Sequence, residues 1–324
     1  MAHAHPDHGH HDHGHHGQVH VHHHDHSHGH SHAPKDFGPA FAVGVGLNFT
    51  FVLIETGVGI WSHSLALLAD AGHNLSDVLG LLLAWGSMVL AKRAPSGRRT
   101  YGLRKATILA SLANAMLLLL AVGVIASESV RRLLEPTAIV GLPVMITAAV
   151  GVAINGGTAM MFMRGQEDLN IRGAFLHMAT DAAISLAVVA GAAIMMLTGG
   201  LSWLDPALSL VIGAVIVFGA WSLLRDSADL AMDAAPKGVD VSAVRAWLAH
   251  LDGVTGVHDL HVWAMSTTET ALTAHLTRPA NAEPDAFLHA ACAYLAQQFG
   301  IAHCTLQIET GEEADCHLSL AQAV

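Results

Sequence analysis

Charged residues are scarce in this chain. Asp, Glu, Lys and Arg make up 13% of 324 residues against 52% apolar ones, about half the charged share of a water-soluble domain, and such a composition belongs in a bilayer. A basic stripe is also missing. The formal charge of −11 comes mainly from an acidic C-terminal third and from aspartates in a histidine-rich head, so the chain carries no footprint for nucleic acid. The N-terminus lacks the cationic start, apolar middle and small-residue cleavage site of a secretory signal, and the first helix is expected to insert uncleaved. Cysteine is limited to Cys292, Cys304 and Cys316. An odd number in a segment expected to face the cytosol argues against a disulfide framework, and Cys292, between Ala291 and Ala293, reads as core.

Histidine is present in excess. Residues 1–32 hold 16 of the 26 histidines, interrupted by Asp7, Asp12, Asp25 and several glycines. No apolar periodicity there could bury a core, so a disordered, metal-collecting tail is expected. Six apolar stretches follow, approximately 39–61, 65–91, 106–130, 142–163, 173–197 and 207–224, each near the ~20 residues that cross the hydrocarbon as a helix. Ten basic residues flank one side of these spans: Lys35, Lys92, Arg93, Arg98, Arg99, Arg104, Lys105, Arg164, Arg172 and Arg225. Only Arg131 and Arg132 flank the other, a bias that places both termini in the cytoplasm.

After Pro236 the long apolar runs give way to mixed polarity. Helical spacing at 241–251 and 283–299, with strand-like stretches at 257–264, 270–276 and 304–308, gives the order αββαβ and a compact two-layer α+β unit. The expected division is a histidine-rich tail (1–34), a six-helix transmembrane domain (35–232), a cytoplasmic α+β domain (233–310) and a C-terminal tail (311–324).

Inside the greasy spans one spacing occurs twice: His73-Asn74-Leu75-Ser76-Asp77 and His177-Met178-Ala179-Thr180-Asp181. An ionisable group at a helix centre in lipid costs roughly 2.5–3.5 kcal/mol, which makes such residues functional-site candidates by default. A separation of four puts each His and its Asp on one helix face. Two such helices packed together would aim His73, Asp77, His177 and Asp181 at one point, and two imidazoles with two carboxylates suit a tetrahedral zinc ion. The competing reading, a His–Asp hydrogen bond that fixes packing, serves a single copy better than two. These ligands bind metal only when unprotonated, so binding displaces protons. A site facing alternate sides in turn would exchange one for the other.

Depth raises a difficulty, because His177 is five residues from Arg172, about 7–8 Å along a helix, whereas Asp77 is mid-span. A water-filled vestibule, or different span limits, would reconcile them. Asn48, Glu55, Asn114 and Asn155 are further polar residues in the spans, able to orient ligands or to bond neighbouring helices. Asp70 reads as an interfacial residue or helix-start partner, and Gly80, Gly86, Gly151, Gly156 and Gly157 as faces for close helix approach.

The tail domain carries a second cluster: His258 and His261 on one strand, His275 on the next, and His303, Cys304 and Glu309 on the last. His258 and His261, three apart, point to opposite faces of an ideal strand. Cys316 and His317 are adjacent soft ligands that could close such a site.

The run Ser64-Leu65-Ala66-Leu67-Leu68-Ala69-Asp70-Ala71-Gly72-His73 closely resembles the cation diffusion facilitator family. Arg99-Thr100-Tyr101-Gly102, Asp205-Pro206 and Val257-His258-Asp259-Leu260-His261-Val262-Trp263 extend the likeness over nearly the whole chain after the head. With His at position 73 rather than Asp, the chain is similar to the zinc-exporting branch, including bacterial zinc, cadmium and cobalt resistance exporters. The resemblance implies a six-helix transporter that exchanges a divalent metal for protons, works as a homodimer and carries a ferredoxin-like cytoplasmic domain. It implies His73, Asp77, His177 and Asp181 as transport ligands, and His258, His275 and Glu309, with Cys316 as a further ligand, as a regulatory site. Vertebrate relatives often place a histidine-rich segment between the fourth and fifth spans. Here that connection, 164–172, is short and the histidines stand at the front.

The expectation is therefore proton-coupled efflux of Zn2+ from the cytoplasm by alternating access, in a multi-pass protein of a bacterial inner membrane. Alternatives are a Cd2+- or Co2+-preferring exporter, or a membrane metal sensor that binds without transport. A membrane-embedded metalloenzyme is disfavoured, since no His-Glu-x-x-His helix is present and four committed ligands leave no open position for water.

Overall fold

The computed structural model describes residues 39–163, 169–278 and 284–310. Six helices long and apolar enough to cross a membrane come first: α1 (Pro39–Ser62), α2 (Leu65–Ala91), α3 (Ala106–Leu134), α4 (Gly141–Phe162), α5 (Leu169–Thr198) and α6 (Leu204–Ala231). Three run further than the apolar stretches suggest. In α3 the helix continues past residue 130, and Glu128 accepts hydrogen bonds from Arg131 and Arg132, one turn on. α5 begins a turn before Gly173, and α6 runs from Leu204 to Ala231. Hydropathy marks only the hydrocarbon layer, whereas a backbone hydrogen-bond ladder can continue into water beyond it.

Small and branched side chains, among them Ala66, Ala69, Val122, Ala148, Val188 and Ile212, form the bundle core. Large apolar residues such as Leu120, Leu197 and Phe218 face outward, as a lipid solvent requires. Of the five glycines singled out, two sit at close approaches: a Cβ on Gly80 would lie 3.2 Å from Asn114 Nδ2, and one on Gly151 would lie 3.1 Å from Ser185 Oγ. Gly86, Gly156 and Gly157 face open space.

The start of α2 is fastened by its own cap and by a distant carboxylate. Ser64, in extended conformation, accepts from Leu67 N. Asp205, in the first turn of α6, accepts from Ser64 Oγ (2.5 Å), Leu65 N (2.6 Å) and Ala66 N (3.3 Å). The first N–H groups of a helix have no partner within it, so α6 supplies acceptors that α2 lacks.

The C-terminal unit follows the expected order, with α7 (Val241–Ala249), β1 (Gly256–Ala264), β2 (Thr270–Thr277), α8 (Pro284–Phe299) and β3 (His303–Glu309). The sheet order is β1-β2-β3, antiparallel between β1 and β2 and parallel between β2 and β3. Leu272, Ala274 and Leu276 alternate toward Val244, Leu248 and Leu295 of the two helices. Cys292 and Cys304 face each other where α8 crosses β3, Cα atoms 5.7 Å apart. The crossing that brings the pair together is not visible in their spacing. Arg104 Nη1 to Glu269 (2.8 Å), Lys105 Nζ to Asp233 (2.5 Å) and Thr267 N to Thr107 Oγ1 (3.0 Å) tie this unit to the α2–α3 connection and the start of α3.

Candidate metal centre

Helices α2 and α5 run antiparallel, and their His/Asp pairs meet crosswise. His73 Nε2 is 3.1 Å from Asp181 Oδ1, and His177 Nε2 is 3.3 Å from Asp77 Oδ2. Along each helix the one-turn pairs are 3.9 Å (His73–Asp77) and 3.6 Å (His177–Asp181). One donor atom from each residue lies within 4.8 Å of all the others. A tetrahedral ion with bonds of about 2.0–2.1 Å separates its ligand atoms by ~3.3 Å. The four donors already stand near that spacing, and they are nitrogen and carboxylate oxygen, the set such an ion takes.

Exposure falls steeply along this seam. The Asp77 and His177 side chains are 32% and 30% exposed, and His73 and Asp181 are 16% and 2%. The open rung lies toward the C-terminus of α2, the end that leads to the connection touching the C-terminal unit. With α5 starting at Leu169, His177 is eight residues into its helix, about 12 Å by helical rise. The depth difficulty is thereby reduced, and the exposure of Asp77 and His177 gives the rest of the access.

Beyond the tight rung the seam continues. Ser185 Oγ donates to Asp70 Oδ2 (2.7 Å) and Asn74 Nδ2 donates to Glu55 Oε2 (3.0 Å), with all four residues buried. Asp70 is not interfacial: the end of α2 on which it sits is covered by α5 and capped by α6. Asn74, overlooked inside the ligand motif, is the partner of Glu55.

In the C-terminal unit, His258, His275 and Glu309 converge. His258 Nε2 is 3.1 Å from Glu309 Oε2, and His275 Nδ1 is 2.8 Å from Glu309 Oε1. The pairing shifts register between His258 and His261, with Asp259 in the left-handed region at φ 50°. This bulge sets His258 opposite His275 and His261 opposite Thr273, so His258 and His261 share one sheet face, contrary to the ideal-strand expectation. Asp259, which sequence reasoning did not single out, lies 2.9 Å from His261 Nε2 and 3.6 Å from His275 Nε2. A bulge residue between two histidines was the available signal. His303 is not in the cluster; its ring meets Tyr101 at 5.6 Å. Cys304 faces α8. Cys316 and His317 lie outside the described residues.

Residues 41–230 match the family described as the cation efflux transmembrane domain, and residues 236–311 match the cation efflux protein cytoplasmic domain. Over 268 residues the chain is 34% identical to the metal cation efflux system protein CzcD of Cupriavidus metallidurans, covering 82% of this chain and 84% of that protein. It is 34% identical over 261 residues to the zinc transporter ZitB of Yersinia pestis, covering 79% and 83%. It is 30% identical over 278 residues to a cadmium, cobalt and zinc/H(+)-K(+) antiporter of Bacillus velezensis, covering 84% and 88%.

Proposed function

The chain belongs to the cation efflux family, and on that premise we propose that it exports divalent metal ions in exchange for protons, with zinc as its principal cargo. The observation that carries this reading is the meeting of His73, Asp77, His177 and Asp181 within 4.8 Å across α2 and α5. Zinc reaches the half-exposed Asp77 and His177 first, from the side of the C-terminal unit, which the proposed orientation makes the cytoplasm. It then completes its shell with His73 and Asp181. The ion offsets two carboxylates that lipid would otherwise penalise. When the seam opens to the other side, protons compete for the same imidazoles and carboxylates, metal leaves, and the protonated site returns.

His258, His275 and Glu309 would hold a second, resident zinc, with Cys316 proposed as its further ligand. Their three donors leave room for a fourth in a tetrahedral shell. The four-part division at 34/35, 232/233 and 310/311 is proposed with this function, as are both termini in the cytoplasm, a bacterial inner membrane as the host bilayer, and a homodimer joined through the cytoplasmic domain. Names of the relatives include cadmium and cobalt beside zinc. Two imidazoles in four ligands favour zinc over ions that prefer oxygen.

The test is flux in liposomes loaded with a zinc dye and a pH dye under a transmembrane proton gradient. Zinc should move with opposite proton flow, and Asp181→Ala or His73→Ala should abolish both. Because the ligands must be unprotonated, half-saturating zinc at the loading face should rise as pH falls through the imidazole range. Metal binding without flux would favour a sensor.

A further inference from the structure

We infer that Glu55 and Asp70 form a second position for a divalent cation, one turn beyond the transport site, where the ion rests on its way out. The inference builds on the transport-site assignment above. It starts from the register of the seam: Asp77 meets His177, His73 meets Asp181, and Asp70 meets Ser185. Asp70 is three residues before His73 and Ser185 four after Asp181, so the third contact is the next rung of the same ladder, about 5 Å further from the open end. An ion moving away from the C-terminal unit along α2 and α5 meets this rung next.

The rung is acidic on a second helix as well. Glu55 of α1 is bonded to Asn74, one helical turn along α2 from Asp70. One oxygen of each carboxylate is occupied, Glu55 Oε2 by Asn74 and Asp70 Oδ2 by Ser185. The other two, Glu55 Oε1 and Asp70 Oδ1, are buried and accept from no donor outside the pair. Both residues are 0% exposed. Among the described residues no lysine or arginine is paired with either, and the titratable neighbours beyond the pair itself are His73 and Asp181 of the transport site. Two carboxylates held together away from water call for a positive charge between them. The donors are oxygen alone, so the position suits a harder, more weakly held ion than the nitrogen-containing transport site does. A strong site binds cargo and a weaker one beyond it lets the cargo go.

External Mn2+, an oxygen-preferring probe, tests this on full-length protein in liposomes. In the wild type, Mn2+ on the release side should slow zinc efflux by occupying the second position. Glu55→Gln and Asp70→Asn should each raise the half-inhibiting Mn2+ concentration about 10- to 100-fold. They should also lower saturated zinc flux while leaving half-saturating zinc on the loading side and the proton-to-zinc ratio unchanged. Glu55→Asp, which keeps the charge, should recover part of the inhibition. Should Asp70→Asn fail to fold, Ser185→Ala keeps both carboxylates, and it should shift Mn2+ inhibition in the same direction by a smaller factor. The proposal is overturned if Mn2+ inhibition is absent or unaltered by the variants. It is equally overturned if the proton-to-zinc ratio falls while Mn2+ inhibition persists, which would make the pair a proton holder. Flux that survives Asp181→Ala would instead sink the transport-site assignment, a separate failure.

Discussion

Asp205 shows how a single carboxylate fixes the geometry of a ligand helix. It accepts from one hydroxyl and two backbone N–H groups at the head of α2, eight residues before His73. A hydrogen bond to a charged group contributes about 1.5–3 kcal/mol, and a buried donor left without its acceptor costs ~1–3 kcal/mol. Asp205→Ala should therefore destabilise the bundle by about 2–4 kcal/mol, read as a lower melting temperature in detergent. Asp205→Asn, which retains one acceptor oxygen, should lose roughly half as much. The motif Asp205-Pro206 was legible in the sequence as part of the family resemblance, but its partner, 140 residues away at Leu65, was not. Asp70 was misread for a related reason: a residue near a helix end belongs to the interface only if no other helix covers that end, and here α5 does.

Between elements, α4 comes close to α5 where side chains are missing, at Gly141 and Gly151. A Cβ at Gly151 would stand 3.1 Å from Ser185 Oγ and 3.4 Å from the Phe51 ring, so a bulky residue must displace those side chains. Gly151→Leu should cost about 1–3 kcal/mol through overpacking and reduce zinc flux, since Ser185 holds Asp70 in the seam. Gly156→Leu on the same helix has open space before it and should change the melting temperature little, a paired measurement that separates packing from helix propensity. Both glycines were flagged alike in the sequence, because composition shows where close approach is possible and only the neighbouring helix shows where it occurs. Elements themselves were legible: apolar length gave the six spans, and periodicity gave αββαβ. The four-residue His/Asp spacing placed each pair on one helix face. Crosswise pairing between helices, the bulge at Asp259 and the meeting of Cys292 with Cys304 all arise from contacts between segments distant in sequence, which no local pattern records.

Across the whole molecule, the gradient from half-exposed Asp77 and His177 to buried Asp70 describes a path open at one end. That end lies on the side where Arg104 and Lys105 meet Glu269 and Asp233. These ion pairs are half-exposed, and surface pairs contribute only ~0–1 kcal/mol each, so they add little to the stability of the C-terminal unit. The N-terminus enters α1 at Pro39, and the sixteen histidines before it lie outside the described residues. If the termini face the cytoplasm as proposed, this head is tethered to the loading side, and tethered ligands raise the local concentration of whatever they bind. Local enrichment matters only while the transport site is unsaturated. Deletion of residues 1–32 should therefore leave flux at saturating zinc nearly unchanged and raise the zinc concentration needed for half-maximal flux, measured in the dye-loaded liposomes. Loss of saturated flux in a truncation that inserts and folds would show instead that the head takes part in the transport cycle.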